Sequence, residues 1–505
     1  MAFELLCYVT VVFIALYYYF TAKFNFWKDR SVRGPKPIPV FGNVFWPMIG
    51  NISIAEYLQN LHNEYKDEPM IGLFVRRTPY LVIQDPELIK DVLIKDFSKF
   101  ANRGFMKQEI HLFSLEEERW RPLRVQLSPV FTSGKLKGIF SMIFECAKRI
   151  ESYLDILIAK GEPIEVRELA AKYTTDVIGS CAFGIEMNSF SDKESEFRQM
   201  GKEIFATHWK GILKFRMKEC MGELYNLLGY ILPPDKPNVF IERITIETLN
   251  YRKEHNIVRP DFMNTLLELR NNPEKVKDIR SFLSELTDTL LAAQAFVFFA
   301  AGFETSSTTI SNALYELALN QDIQKKLREE IKEFDAKNSG DWKYETIKEM
   351  SYLDKVFKET LRKYPPLVFL SRETTDDYTF SNTKVSLQKC MRVWIPVFSI
   401  HRDPNIYPDP DKFDPERFSK EAVDARHPMH YLPFGHGPRN CIGTFITRLY
   451  FISIELLFHQ TALTLSSLIY LISGKTPIPY ELNSFRMNFV FTVCVYGKRK
   501  LVSFI

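Results

Sequence analysis

Phe434-Gly-His-Gly-Pro-Arg-Asn-Cys-Ile-Gly443 is the stretch on which the reading of this 505-residue chain turns. Glycines at 435, 437 and 443 would let the backbone pass close to a flat cofactor while presenting one sulfur, that of Cys441. The plainer reading is a Gly-rich turn with an incidental Cys, and a short motif counts only with its context. The seven cysteines, Cys7, Cys146, Cys181, Cys220, Cys390, Cys441 and Cys494, are odd in number and scattered, with no C-x-x-C pair. That excludes a disulfide scaffold and a paired-cysteine zinc site. It fits a chain folded in a reducing compartment, where an isolated Cys is either a small buried hydrophobe or a chosen ligand.

Working outward from the loop, Ala300-Ala-Gly-Phe-Glu-Thr305 lies within the long apolar stretch AAQAFVFFAAGFETSSTTISNALYELA (292–318). Ala301, Gly302 and Thr305 fall at i, i+1 and i+4, so two small residues and a hydroxyl share roughly one helix face and open a groove. A mid-helix Gly costs up to about 1 kcal/mol against Ala, which predicts that something approaches or distorts the helix there. Taken alone, the segment reads first as a buried helix whose hydroxyls bond back to the i−4 carbonyl. Glu359-Thr-Leu-Arg362 places a carboxylate and a guanidinium at i, i+3, a surface pair that alone means nothing. Pro415-Glu-Arg-Phe418 follows it, and then comes the Cys441 loop. Trp120-Arg-Pro-Leu-Arg124 sets an aromatic and a cation at i, i+4, and Arg372 stands just after the Pro365-Pro366 bend; Trp120 alone would more often be plain core.

Together these segments resemble the cytochrome P-450 superfamily. The Cys loop matches its haem-binding pattern F-x-x-G-x-R-x-C-x-G at every fixed position, in the family's order E-x-x-R, P-E-R-F, Cys. The stretches LSPVFTSGKLKGIF (127–140), AQAFVFFAAGFETSSTT (293–309) and DPDKFDPERF (409–418) look most like insect microsomal members of the detoxifying type. The resemblance implies haem b as cofactor, with Cys441 as thiolate ligand to the iron and the loop residues Phe434, Gly435 and Gly443 shaping its seat. It implies that Arg439, Trp120, Arg124 and Arg372 meet the haem propionates, because a buried dianionic edge needs such partners. Ala301 and Gly302 would border the cofactor, and Thr305 with Glu304 would manage protons, a task for which a hydroxyl suits because it both donates and accepts. Glu359, Arg362 and Arg417 would form a buried supporting network.

The implied reaction inserts one oxygen atom of O2 into a lipophilic small molecule. No G-x-G-x-x-G motif follows a strand and there is no room for a flavin domain, so electrons must come from a separate reductase, which the resemblance implies is a membrane-bound NADPH-dependent flavoprotein. Arg121, Lys135 and Lys137 are candidates to dock it, although a basic cluster is more often a solvated face. The substrate pocket is expected to be lined by Phe298, Ala301, Thr305, Val368, Phe369 and Phe113. One rival in the same fold is a haem-thiolate isomerase or dehydratase without reductase, against which the intact Glu304-Thr305 pair speaks. Another, of a different class, is a non-enzymatic haem-binding membrane protein.

Composition agrees with a large apolar pocket: 46% of residues are hydrophobic, with 42 Phe and 23 Tyr, although an aromatic-rich core would look the same. A net charge of +4 from 66 basic and 62 acidic residues excludes a chain-wide electrostatic footprint for nucleic acid. At the start, LLCYVTVVFIALYYYF (5–20) carries no charge and is just long enough, with its neighbours, to cross a bilayer. Its acidic start and Tyr-Tyr-Tyr-Phe end argue for a retained anchor over a cleaved signal. Lys23, Lys28, Arg30 and Arg33 then hold the body in the cytosol, on the endoplasmic reticulum membrane by the resemblance. Residues 1–22 are thus read as the anchor, 23–40 as a basic, Pro-rich linker acting as a stiff extended spacer, and 41–505 as one haem-thiolate domain.

Periodicity predicts helices near 136–160, 282–319, 321–335 and 350–363 and short strands at Ile71–Val75 and Tyr80–Ile83, hence a mainly α fold with a small β part (α+β). The segment 444–472 is atypical. It is almost uncharged and apolar nearly all round, so the family likeness is expected to stop at Gly443, with 444–472 non-homologous and either packed on both sides or poorly ordered. GKTPIPYELNSF (474–485) resumes a family-like pattern.

Overall fold

The structure is a computed structural model and describes residues 2–104, 109–160, 165–190, 195–205, 235–272, 287–339, 342–381 and 383–460. Its principal helices are α1 (Ala2–Thr21), α2 (Phe45–Ile49), α3 (Ile54–Glu64), α4 (Glu117–Leu127), α5 (Ser133–Lys160), α6 (Val166–Ile178), α7 (Lys236–Glu254), α8 (Asp288–Leu319), α9 (Ser351–Lys363) and α10 (Thr444–Gln460). The strands are β1 (Met70–Val75), β2 (Thr78–Ile83), β3 (Leu370–Glu373), β4 (Tyr378–Thr379), β5 (Ser386–Leu387) and β6 (Arg392–Ile395). This is the predicted class, mainly α with a small sheet part.

β1 and β2 form an antiparallel hairpin in which Val75 pairs with Thr78 around the turn Arg76-Arg77. β2 then runs parallel to β6, and β6 antiparallel to β3, giving the sheet order β1-β2-β6-β3. The parallel pair joins segments far apart in sequence, so no local pattern could announce it. The sheet packs α3 on one face through Ile54, Leu58 and Leu61 against Ile71, Leu73 and Val82.

α8 is the central helix. Thr287 caps it by accepting the Leu290 N–H at 3.2 Å, and its apolar surroundings explain why it is hydrophobic nearly all round. It lies against α6 and α7, and also meets α9 and α10. Both α1 and α8 are long and apolar enough to cross a membrane, but burial separates them. The apolar window of α8 is 61% buried, as befits a core helix, whereas that of α1 is 0% buried.

Residues 23–40, read as a stiff extended spacer, make contacts with the body. Trp27 is buried and donates its indole N–H to the Leu73 carbonyl at 2.9 Å. The Gly72 N–H bonds the Arg33 carbonyl at 2.8 Å, and Asn43 donates its side-chain amide to the Pro35 carbonyl at 3.0 Å. Residues 23–31 form turns and a short 3-10 helix (Lys28–Arg30), and the Pro-rich stretch from Val32 onward docks along β1. Trp27 finds room because Gly72 has no side chain; a Cβ there would lie 2.4 Å from the indole.

The segment after the Cys loop is also clarified. Thr444–Gln460 is helical, and Leu449, Tyr450, Phe451, Ile452 and Ser453 are all buried in succession. Five consecutive buried positions surround a helix on every side, so its apolar character reflects packing between α5 and α8. Arg448 pairs with Asp354 of α9 at 3.0 Å. The remainder of 444–472, the 474–485 stretch, Cys220 and Cys494 lie outside the described residues.

Candidate haem-thiolate site

The Cys441 loop is held at several points. The Leu432 N–H donates to His401 Nε2 at 2.9 Å, the Gly435 N–H to the Leu432 carbonyl at 3.1 Å, and the Cys441 N–H to the Phe434 carbonyl at 2.9 Å. Two glycines are needed for their backbone conformation, Gly435 at φ +68° and Gly437 at φ +75°. At Gly437 a Cβ would also lie 1.9 Å from the Leu93 carbonyl oxygen. Gly443 is under no such constraint, since a Cβ there meets Ile446 at 3.5 Å and Cys441 Sγ at 3.9 Å, ordinary contacts. His436 is exposed and accepts from the Gly437 N–H at 3.0 Å, a local turn contact.

Cys441 is accessible to solvent, yet burial pushes its thiol pKa up, opposed by the Gly443 N–H and the cations of Arg103 and Arg124. Both statements hold for a sulfur deep in the protein that faces open space. Cys146 and Cys181 are instead buried, with thiol pKa values raised by desolvation, that of Cys146 to about 12. They behave as small hydrophobes.

Around the loop stand four guanidinium groups. Arg439 is 2% exposed, reaches the carbonyls of Ala101 and Leu115, and lies 4.8 Å over the Trp120 ring. Arg124 donates to the Asn440 carbonyl at 3.0 Å and to the Asn440 side chain at 3.1 Å. Arg372, on β3, is 2% exposed and bonds the Ser371 carbonyl at 2.9 Å. Arg103 was not singled out by any spacing in the sequence. It donates to the Phe113 carbonyl at 3.1 Å and the Arg439 carbonyl at 3.2 Å, and stacks 3.8 Å over the Phe113 ring.

Burial, and then Arg372, pull the Arg439 pKa down to about 9; burial pulls that of Arg372 down to about 10. Arg103 is depressed by burial and by the neighbouring Arg439 and Arg372 cations. Among the described residues none of the four forms an ion pair, and the Nε atoms of Arg372 and Arg439 are buried without a hydrogen-bond partner. Mutually repelling buried cations are costly unless an anion joins them.

A second charged cluster is complete in itself. Glu359 and Arg362, both 0% exposed, form a fork-to-fork pair at 2.7 and 2.9 Å. Arg362 also donates to the carbonyls of His401 at 2.9 Å and Pro410 at 2.7 Å. Glu359 accepts the Asp414 N–H at 2.9 Å and faces Arg417 Nε at 3.6 Å. Burial raises the Glu359 pKa against the opposing pull of Arg362. Burial and the Arg362 cation push His401 down to about 3, so its imidazole is neutral and can accept from Leu432.

On α8, Ala301 is exposed although the helix around it is largely buried, and Thr305 is half-buried one turn on, its hydroxyl donating back to the Ala301 carbonyl. Thr309 does the same to Thr305 at 2.9 Å, as expected of hydroxyls in a buried helix. Glu304 points elsewhere. It is 4% exposed and bonds Arg167 of α6 at 2.6 Å, in a cleft of about 220 Å3 that Arg198 and Lys202 also line.

Gly302 turns out to serve helix packing: a Cβ there would lie 3.0 Å from the Ile178 methyl of α6, so the close approach comes from a neighbouring helix. Three of the expected pocket residues have neighbours in the core. Val368 is buried in the cluster of α3 and the sheet, Phe369 packs on Trp394 at 4.8 Å, and Phe298 is stacked on Phe262 at 4.0 Å. Arg121 pairs with Glu117, and Lys137 with Glu345 at 2.8 Å, as on an ordinary solvated face.

A family model described as "Cytochrome P450" matches residues 32–455. The likeness therefore does not stop at Gly443; it continues into α10, where residues 449–453 are buried. "Probable cytochrome P450 6a14" of Drosophila melanogaster is 43% identical over 435 residues, 83% of this chain and 85% of that protein. "Cytochrome P450 6A1" of Musca domestica is 40% identical over 495 residues, 95% of this chain and 94% of that protein. "Cytochrome P450 6k1" of Blattella germanica is 38% identical over 459 residues, 86% of each. With the Cys loop, its arginines and the whole central helix inside the matched span, this chain belongs to the cytochrome P450 family of haem-thiolate monooxygenases.

Proposed function

We propose that the chain is held by α1 on the cytosolic face of the endoplasmic reticulum membrane and oxidises lipophilic small molecules, with electrons passed from NADPH by a separate flavoprotein reductase. The observation that carries the reading is the pairing of an open-facing thiol at Cys441 with four guanidinium groups, Arg372 and Arg439 buried and Arg103 and Arg124 half-buried, none of which forms an ion pair among the described residues. Haem b fits this donor set: a soft sulfur suits its iron, and two propionates supply the missing negative charge. Cys441 would ligate the iron, while Arg439, Arg372, Arg124 and Arg103, with Trp120, would hold the propionate edge. Phe434 and Gly435 shape the loop, and Ala301 borders the open space on the α8 side.

When bound, the haem supplies the activation of O2, in which one oxygen atom enters a C–H bond of the substrate and the other leaves as water, with two electrons and two protons consumed. The chain's own part is to place groups around that chemistry. Gly443 N–H and the nearby cations favour the ionised sulfur at Cys441. The Thr305 hydroxyl, both donor and acceptor, holds a proton at the open face of α8. Glu304 is the buried carboxylate one residue earlier, and its contact with Arg167 joins it to the outer cleft from which protons can be drawn. Ala301, exposed on a helix of mostly apolar residues, offers an apolar surface that favours lipophilic guests.

The carbon-monoxide difference spectrum of the reduced protein tests the reading, because the Soret position reports a thiolate ligand. Cys441→Ala abolishes the thiolate-type band, whereas Cys146→Ala and Cys390→Ala retain it. A surviving band in Cys441→Ala overturns the assignment.

A further inference from the structure

We propose that Thr174 of α6 is a positioning residue for the oxidation: its hydroxyl, donated to the Phe303 carbonyl of α8, sets the turn 301–305 and with it the place where Thr305 holds its proton. The inference rests on the reading of Thr305 as the proton-holding hydroxyl. Its ground is the face that α6 turns toward α8. Arg167, Ala171, Thr174 and Ile178 follow one another at helical spacing and lie on one side of α6. Arg167 bonds Glu304 at 2.6 Å, Thr174 reaches the Phe303 carbonyl at 3.1 Å, and an Ile178 methyl stands 3.0 Å from where a Cβ on Gly302 would be. Three consecutive residues of α8 are thus gripped by one face of α6. They belong to the same helical turn as the exposed Ala301 and as Thr305, whose hydroxyl donates back to the Ala301 carbonyl.

The surroundings of Thr174 decide where its hydrogen goes. The side chain is fully buried, and two carbonyls are within reach, that of Phe303 at 3.1 Å and that of Ala171 in its own helix at 3.2 Å. A hydroxyl has one hydrogen to give, and a carbonyl has two lone pairs to fill. An α-helix supplies the Ala171 carbonyl with the Thr175 N–H, and the Thr175 hydroxyl donates to it as well, at 2.7 Å. That carbonyl is full, so Thr174 donates to Phe303. The Phe303 carbonyl has room: its helix supplies the Ser307 N–H, while the Ser307 hydroxyl turns to the Glu304 carbonyl at 3.1 Å.

The consequence for α8 is mechanical. A carbonyl that accepts from a side chain outside its helix tilts away from the axis, and the helix bends there. The hydroxyls of Thr305, Thr309 and Ser311 donate within α8 itself and transmit no pull from a neighbour. Thr174 pulls on the peptide that joins Phe303 to Glu304, immediately ahead of Thr305. Valine would fill nearly the same volume and leave no polar group unpaired, because the Phe303 carbonyl keeps its own helical donor. Packing alone therefore does not call for a threonine at this position.

The experiment uses the full haem-loaded chain in phosphatidylcholine vesicles with an NADPH-dependent flavoprotein reductase. The probe is 7-ethoxycoumarin, p-nitroanisole or lauric acid, whichever the native chain oxidises fastest. NADPH, O2 and a proton yield either oxidised probe and water or, with the probe untouched, hydrogen peroxide; peroxide formed per NADPH consumed reads how well the proton is placed. Thr174→Val is expected to raise that ratio about threefold, with the carbon-monoxide band and the urea midpoint unchanged, and Thr174→Ser, which keeps the hydroxyl, is expected to restore it. Thr305→Ala raises the ratio too, and adding Thr174→Val to it raises it no further, because one residue acts through the other. A native ratio in Thr174→Val, or equal uncoupling by the Val and Ser variants, overturns the inference and leaves the Thr305 reading standing as long as Thr305→Ala uncouples. A native ratio in Thr305→Ala overturns both. Loss of haem or a lowered urea midpoint in Thr174→Val, with peroxide per NADPH unchanged, makes the residue structural and likewise overturns the inference.

Discussion

The two arginine clusters of this molecule are built from the same residue type and differ in who completes them. Around Glu359, every buried charge has its partner within the chain: a carboxylate, a fork-shaped guanidinium and a set of backbone carbonyls. Around Cys441, four guanidinium groups crowd together, and among the described residues their partners are carbonyls, the Asn440 side chain and the rings of Trp120 and Phe113. A closed network supports the fold, whereas an unbalanced one is a mould of the anion it is made to receive.

The comparison is most severely tested by opening the closed cluster. Glu359→Ala leaves Arg362 buried and uncompensated and is expected to cost about 3–5 kcal/mol, enough to empty the folded state of many domains. Urea denaturation of the haem-loaded protein reads the loss; a change below about 1 kcal/mol would show that the network is dispensable. In the unbalanced cluster the expectation reverses. Arg439→Met removes one of several repelling cations, so the haem-free chain keeps or gains stability, while haem affinity falls about 100-fold, near 2.7 kcal/mol. Haem titration and urea denaturation of the haem-free chain together check it, and equal losses in both would mean that Arg439 belongs to the structural class.

The smallest effect is a pH dependence between the clusters. His401 titrates at about 3 when folded, below the ordinary 6.5, so the unfolded chain takes up the proton first. Its contribution is complete above pH 6.5 and is lost as the pH falls from there toward 3, reaching about 2 kcal/mol at pH 5. His401→Gln keeps an acceptor for the Leu432 N–H and removes that titration. Relative to the native chain, its stability is expected to decline less between pH 7 and pH 5 by that amount. Parallel declines would show that His401 protonates without penalty.

What the sequence made legible follows the range of the interactions. The loop at 434–443, the Glu359-to-Arg362 spacing and the Trp120-to-Arg124 spacing are local patterns, and local patterns survive in one dimension. Arg103 carries no such pattern; it matters because folding brings it to Arg439 and Phe113. His401 sits in a Pro- and Asp-rich stretch that reads as plain loop. Val368 and Phe369 also pack against α3 and the sheet, a contact that no local pattern announces because the pairing of β2 with β6 joins distant segments. Trp27 lies in the stretch read as a linker, and only the bare Gly72 across from it shows why it docks. The apolar run after Gly443 looked foreign because the sequence does not display the neighbours that cover α10.

Gly437 has a consequence for inheritance. Its α-carbon rests so close to the Leu93 carbonyl that any side chain must displace the backbone of the neighbouring segment. Every amino acid that a single-base change can put in place of glycine carries a Cβ. No missense allele at this codon is therefore sterically silent, and the smallest of them, Gly437→Ala, already disturbs the loop that presents Cys441.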